Sequence, residues 1–176
     1  RKRVKELSRG MGMKLMLACA LSHGADLLIL DEATAGLDPM AREEILGILR
    51  DFVAGGEGRG ILLATHITSD LEHIADYVVC FDAGKLAFSL EKDAISDMAG
   101  IARCRASEFE QVLDAGGFEG ARFVRNSLNI DVLVPDRRAF ARVFPHIALD
   151  KADIESYMSL TLKGEPLESA CGSTLH

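Results

Sequence analysis

The sequence predicts an α/β fold over roughly residues 1–90, with parallel strands and flanking helices, followed by a small α+β appendage over 91–163. Three observations carry this. The apolar run at 27–30 has no polar break, the pattern of a strand buried on both faces of a parallel sheet. Strand-like and helix-like stretches alternate from 8 to 81 with short connections, a three-layer plan. From about residue 91 the texture changes, with an apolar alternation at Ile130, Val132 and Val134.

Taken in order, residues 1–6 form a charged lead-in. Ser8 suits the N-cap of a helix whose apolar stripe is Met13, Leu15, Met16, Leu17, Ala20 and Leu21. His23-Gly24 is a fitting helix end. The strand at 27–30 follows and stops on Asp31 and Glu32. Pro39 then suits the first turn of a helix reaching about residue 53. Residues 54–60, rich in glycine, read as a helix-to-strand loop. A second parallel strand at 60–65 ends at His66, and Ser69 caps a short helix through 75. A third strand at 77–81 turns at 82–85 into a hairpin partner at 86–90. The appendage reads as a short helix ending at 95–99, a strand at 101–105, and a helix capped by Ser107. A hairpin across Asn126-Ser127 and helices at 136–144 and 153–162 complete it. Asp131 and Asp136 read as surface acids, and 164–176 as a frayed tail.

Composition narrows the function. At 176 residues with 48% hydrophobic content, the chain can bury a core. A net charge of −7 argues against a nucleic-acid partner. No apolar run approaches the ~20 residues of a membrane span. The four cysteines show no Cys-x-x-Cys spacing and read as buried thiols rather than disulfides or a metal site.

Ligands of open parallel sheets sit beyond the carboxyl ends of the strands, where Asp31 and Glu32 fall. Adjacent strand residues face opposite ways, so one acid could hold a metal while the other handles a proton. Taken alone, the pair reads equally well as a solvated acidic turn. Three further motifs keep it company: Leu7-Ser8-Arg9-Gly10-Met11 upstream, Gly36-Leu37-Asp38 directly after, and His66 at the end of the second strand.

Together, and in this order, these motifs resemble the ATP-binding subunit of an ABC transporter, over about residues 1–90. Residues 7–11 match its signature motif, 27–31 its Walker B strand, Glu32 its catalytic glutamate, 36–38 its D-loop and His66 its switch histidine. The resemblance implies ATP and Mg²⁺ as ligands, with Asp31 positioning the metal, Glu32 polarising water and His66 holding the γ-phosphate. It implies a head-to-tail dimer in which Ser8, Arg9 and Gly10 approach a phosphate held by a second ATP-binding subunit, while Asp38 couples the two sites. It also implies a transmembrane permease partner and a cytoplasmic position on the inner face of the membrane. Arg9 and Met11 depart from the usual Leu-Ser-Gly-Gly-Gln, so Arg9 either adds charge at the site or points to solvent. The phosphate-cradling string Gly-x-x-x-x-Gly-Lys-Ser/Thr is absent. The chain is therefore expected to be the C-terminal part of a longer exporter subunit, inactive alone. The alternatives are a soluble ABC-type ATPase not linked to transport, or a non-catalytic fragment acting through its appendage.

Overall fold

The structure is a computed structural model that describes residues 3–171. Its residues group into two compact units, 1–74 and 75–176.

In the first unit a 3-10 turn at Val4–Glu6 leads into helix α1 (Arg9–Leu21). Strand β1 (Leu27–Asp31), helix α2 (Pro39–Ala54), strand β2 (Gly60–Ala64) and helix α3 (Thr68–Ile74) follow. β1 and β2 are parallel as expected, in register from Leu27 opposite Gly60 to Asp31 opposite Ala64. Leu17, Leu28, Ile45, Leu49 and Phe52 form the core, with Met13 and Leu21 against it. Two expectations are corrected. The buried face of α1 is a narrow row at spacing four, Met13, Leu17 and Leu21, whereas Leu15 and Met16 are exposed. The β1 run is not buried on both faces: Leu28 is buried, but Leu27 and Ile29 are 59% and 71% exposed, as is Leu62 of β2 at 61%. A two-stranded sheet with helices on one side covers one set of alternating side chains only. Ser69 also lies inside α3 rather than capping it.

The second unit begins with strands β3 (Tyr77–Asp82) and β4 (Lys85–Glu91), antiparallel to each other and not joined to β1 and β2. The expected hairpin is thus present, and it forms a two-stranded sheet of its own. The unit boundary falls between Ile74 and Ala75 rather than near residue 90. Helix α4 (Lys92–Met98) follows, packed on β4 and on α7. Then come β5 (Gly100–Cys104), α5 (Ala106–Ala115), β6 (Arg122–Arg125), β7 (Ile130–Val134), α6 (Arg137–Val143), β8 (Ala148–Lys151), α7 (Ile154–Lys163), β9 (Glu165–Pro166) and α8 (Leu167–Cys171). Five strands form one antiparallel sheet in the order β8-β5-β7-β6-β9. From β5 to β8 this is the strand-helix-strand-strand-helix-strand plan of ferredoxin-like domains.

Its core holds Cys104, Phe109, Val112, Val132, Val134 and Phe140, all fully buried. Phe109 packs on Phe123, ring centroids 4.9 Å apart, and the Arg125 guanidinium lies over both rings. Two readings of this region change. The strand β8 was not foreseen. Ser107 sits inside α5, whose N-cap is Arg105. Asp136 is exposed, as expected of a surface acid, and it also caps α6 by accepting from Arg138 and Ala139 N–H. Asp131 accepts from Asn126 and Asn129. The expected tail is also structured as far as it is described: the Leu167 side chain is buried in the core and its N–H donates to Ala121 O. Residues 172–176 lie outside the described residues. Cys80 and Cys104 are buried free thiols, while Cys19 is exposed, against expectation.

Candidate functional site

The parallel pairing carries Glu32 and His66 to the same end of the first unit. Asp31 lies opposite Ala64, and Glu32 N–H donates to Ala64 O at 2.8 Å. The chain then leaves β2 through Thr65, whose hydroxyl accepts from Ile67 N–H, and presents His66. His66 Nδ1 is 2.7 Å from Glu32 Oε1, and His66 backbone N–H also donates to that oxygen at 3.2 Å. With the carboxylate ionised, Nδ1 carries the proton and donates. The other carboxylate oxygen, Glu32 Oε2, is buried without a hydrogen-bond partner among the described residues. Glu32 has φ +51°, left-handed backbone in a residue with a side chain. Such strain persists only where the surroundings impose it, and it clusters at active sites. Asp31 sits exposed at the strand end.

The remaining predicted residues form a second group in the same unit. Ser8 caps α1, accepting from Met11 N–H at 3.3 Å. Gly10 passes so close to α2 that a Cβ there would lie 3.0 Å from Ala41 Cβ. Arg9 does not simply project into solvent: its guanidinium lies against Gly36, where an added Cβ would be 2.6 Å from its nearest nitrogen. Gly36 has φ +68°, which also favours glycine. Asp38 caps α2, accepting from Ala41 N–H at 3.0 Å. The Ser8–Gly10 segment and the 36–38 turn are thus neighbours within one chain, and the turn begins at Glu32, whose carbonyl accepts from Ala35 N–H at 3.2 Å.

The fit to a metal is limited but consistent. Among the described residues no cluster of three or more His, Cys, Asp or Glu could hold one alone. Mg²⁺ commonly takes one or two carboxylates together with phosphate oxygens and water. A single hard oxygen donor at Asp31 matches that pattern.

Sequence reading missed one feature. Thr34 and Asp70 are the buried polar side chains among the described residues, and they bond to each other. The only signal was an acid in the first turn of a helix, which reads equally as a complement to the helix dipole.

Residues 1–35 match the family model described as ABC transporter. Lantibiotic transport ATP-binding protein SrtF of Streptococcus pyogenes is 38% identical over 95 residues, 54% of this chain and 41% of that protein. Nod factor export ATP-binding protein I of Rhizobium meliloti is 47% identical over 83 residues, 47% of this chain and 24% of that protein. The chain therefore spans less than half the length of these curated relatives. A solved metal-chelate type ABC transporter in an inward-facing conformation aligns with 80% of this chain and 52% of its own, at TM-score 0.49 and 18% identity.

Proposed function

We propose that this chain is part of the ATP-hydrolysing subunit of an ABC transporter, coupling ATP binding and hydrolysis to export through a separate membrane subunit. The observation that carries the reading is the Glu32 carboxylate, held on strained backbone with one oxygen on His66 and the other unpartnered. The relatives named for lantibiotic transport and Nod factor export supply the direction.

In this mechanism the Glu32 carboxylate accepts a proton from the attacking water while His66 anchors it through Oε1. Asp31 would hold Mg²⁺, which when bound would supply positive charge to neutralise that developing on the phosphates. Catalysis of this kind is mostly positioning and electrostatics. His66 already gives Nδ1–H to Glu32, so donation from Nε2 to a phosphate oxygen needs either the doubly protonated ring or release from Glu32. Ser8, Arg9 and Gly10 would face a phosphate on the second subunit of a head-to-tail dimer, and Asp38 would couple the two sites. Among the described residues no helix is long and apolar enough to cross a membrane, so attachment to the inner face would run through the permease. The second unit would be an accessory module. The chain alone, without a phosphate-cradling string, would bind MgATP weakly.

The test is Glu32→Gln in a complete subunit. Hydrolysis should fall by about 10²–10⁴-fold, the usual contribution of a positioned base, while ATP binding persists. Turnover near the unmodified level would return the acidic pair to a surface turn.

A further inference from the structure

Asp70, on α3, is fully buried, yet it carries a carboxylate. An unpaired charge is very costly away from water, so its partners decide what it does. Oδ2 accepts from the Thr34 hydroxyl, and Oδ1 accepts from Arg42 Nε at 2.5 Å. Arg42 Nη2 donates in turn to Ser69 Oγ at 2.5 Å. Three segments meet in this network: the turn after β1, the first turns of α2, and the start of α3.

The placement of the tether is informative. Thr34 lies two residues after Glu32, and Asp70 lies four residues after His66. The Asp70–Thr34 bond therefore ties together the two loops that carry the Glu32–His66 pair. The turn itself supplies only weak restraint, through Ala35 N–H to Glu32 O and Leu37 N–H to Thr34 O, both 3.2 Å. Glu32 meanwhile occupies left-handed backbone that needs outside support.

We propose that Asp70 is a positioning residue, acting through Thr34 and Arg42 to hold the strained Glu32 turn against His66. Its meaning for catalysis rests on the function proposed above, but the geometric claim does not.

The experiment uses the 176-residue chain and needs no nucleotide. The ring nitrogens of His66 are followed by long-range ¹⁵N–¹H correlation at about pH 8, above the ordinary histidine range. Glu32→Gln defines the shift that accompanies loss of the ionised partner. Thr34→Val and Asp70→Asn should displace the His66 nitrogens in the same direction, and Thr34→Ser, which keeps the hydroxyl, should restore them. Leu49→Ala, which opens a cavity in the same unit's core, should lower the melting temperature without moving them. If Asp70→Asn fails to fold, the Thr34→Val and Thr34→Ser pair still decides. The inference is overturned alone if Glu32→Gln moves His66 and the Thr34 and Asp70 variants do not. It is overturned as a structural effect if Leu49→Ala moves His66 as far as they do. If Glu32→Gln leaves His66 unmoved, the pair is not formed in solution, and this inference and the proposed function lose their shared footing.

Discussion

The two units use apolar sequence differently. In the second, the five-stranded sheet carries helices over its apolar face, and residues such as Val132, Val134, Phe109 and Phe140 are fully buried. In the first, β1 and β2 are as apolar as any strand in the chain, yet Leu27, Ile29 and Leu62 face outward. The contrast teaches that the five-stranded sheet is closed by its own unit's helices, whereas β1 and β2 bring their polar machinery to a strand end beside an uncovered apolar face; the β3–β4 hairpin of the second unit likewise leaves Val79 and Phe81 exposed.

The sharpest break of this comparison lies in the closed unit. Phe109→Ala should cost about 3–5 kcal/mol, the range for removing a buried aromatic, and it should melt the second unit while leaving the His66–Glu32 contact in the first. Separate melting transitions, followed by the His66 signal and by a β7 amide, would check this. A single merged transition would mean that the units do not unfold independently.

The second test uses pH. Burial, followed by repulsion from Glu108 and Asp131, pushes the Cys104 thiol up from its ordinary value of 9.0 to about 11. The folded value lies above the unfolded one, so the stabilising contribution is complete below about pH 9 and is lost as pH rises toward 11. Urea midpoints of the second unit should therefore fall across that window, and Cys104→Ala should flatten the fall. An equal fall in the alanine variant would assign it to other groups.

Much of this difference was legible in the sequence, for identifiable reasons. Pro39 and Ser8 mark helix starts through local chemistry, and the structure keeps both. The strand at 27–31 ending on two acids was equally plain. What stayed hidden was long-range. Nothing local distinguishes a strand covered on both faces from one covered on one. The pairing of β3 with β4 alone, the strand β8 and the docking of Leu167 all depend on partners distant in sequence. At the site, motif order picked out Glu32 and His66. Their direct contact, and the buried Asp70 behind them, are facts of packing.

Helix caps offer a smaller and more even test. Asp153 caps α7 by accepting from Ser156 N–H at 2.7 Å, and Ser8 caps α1 at 3.3 Å. Replacing either by alanine should cost ~1 kcal/mol or less, with the longer Ser8 bond at the lower end. Denaturant melts of both variants give the comparison. If Ser8→Ala costs as much as Asp153→Ala, the Ser8 bond is better formed in solution than 3.3 Å implies. If it costs nothing measurable while abolishing ATP-driven pairing in a complete subunit, Ser8 serves the partner's phosphate rather than its own helix.

The smallest expected effect is the most direct probe of the uncovered face. Leu28 and Ile29 are neighbours on β1 with similar side chains, yet Leu28 is buried and Ile29 is 71% exposed. Deleting a buried leucine to alanine costs about 2–5 kcal/mol, whereas exposed substitutions away from special contacts usually stay within about 0.5 kcal/mol. Ile29→Ala should therefore leave the melt of the first unit almost unchanged, while Leu28→Ala collapses it. The measurement must be made at several protein concentrations, because an apolar strand face in water gains by pairing with another such face. A cost for Ile29→Ala that grows with concentration would show the face covered by a second copy. A large cost independent of concentration would mean that the same chain covers β1 on both sides, and the contrast between the two units would then disappear.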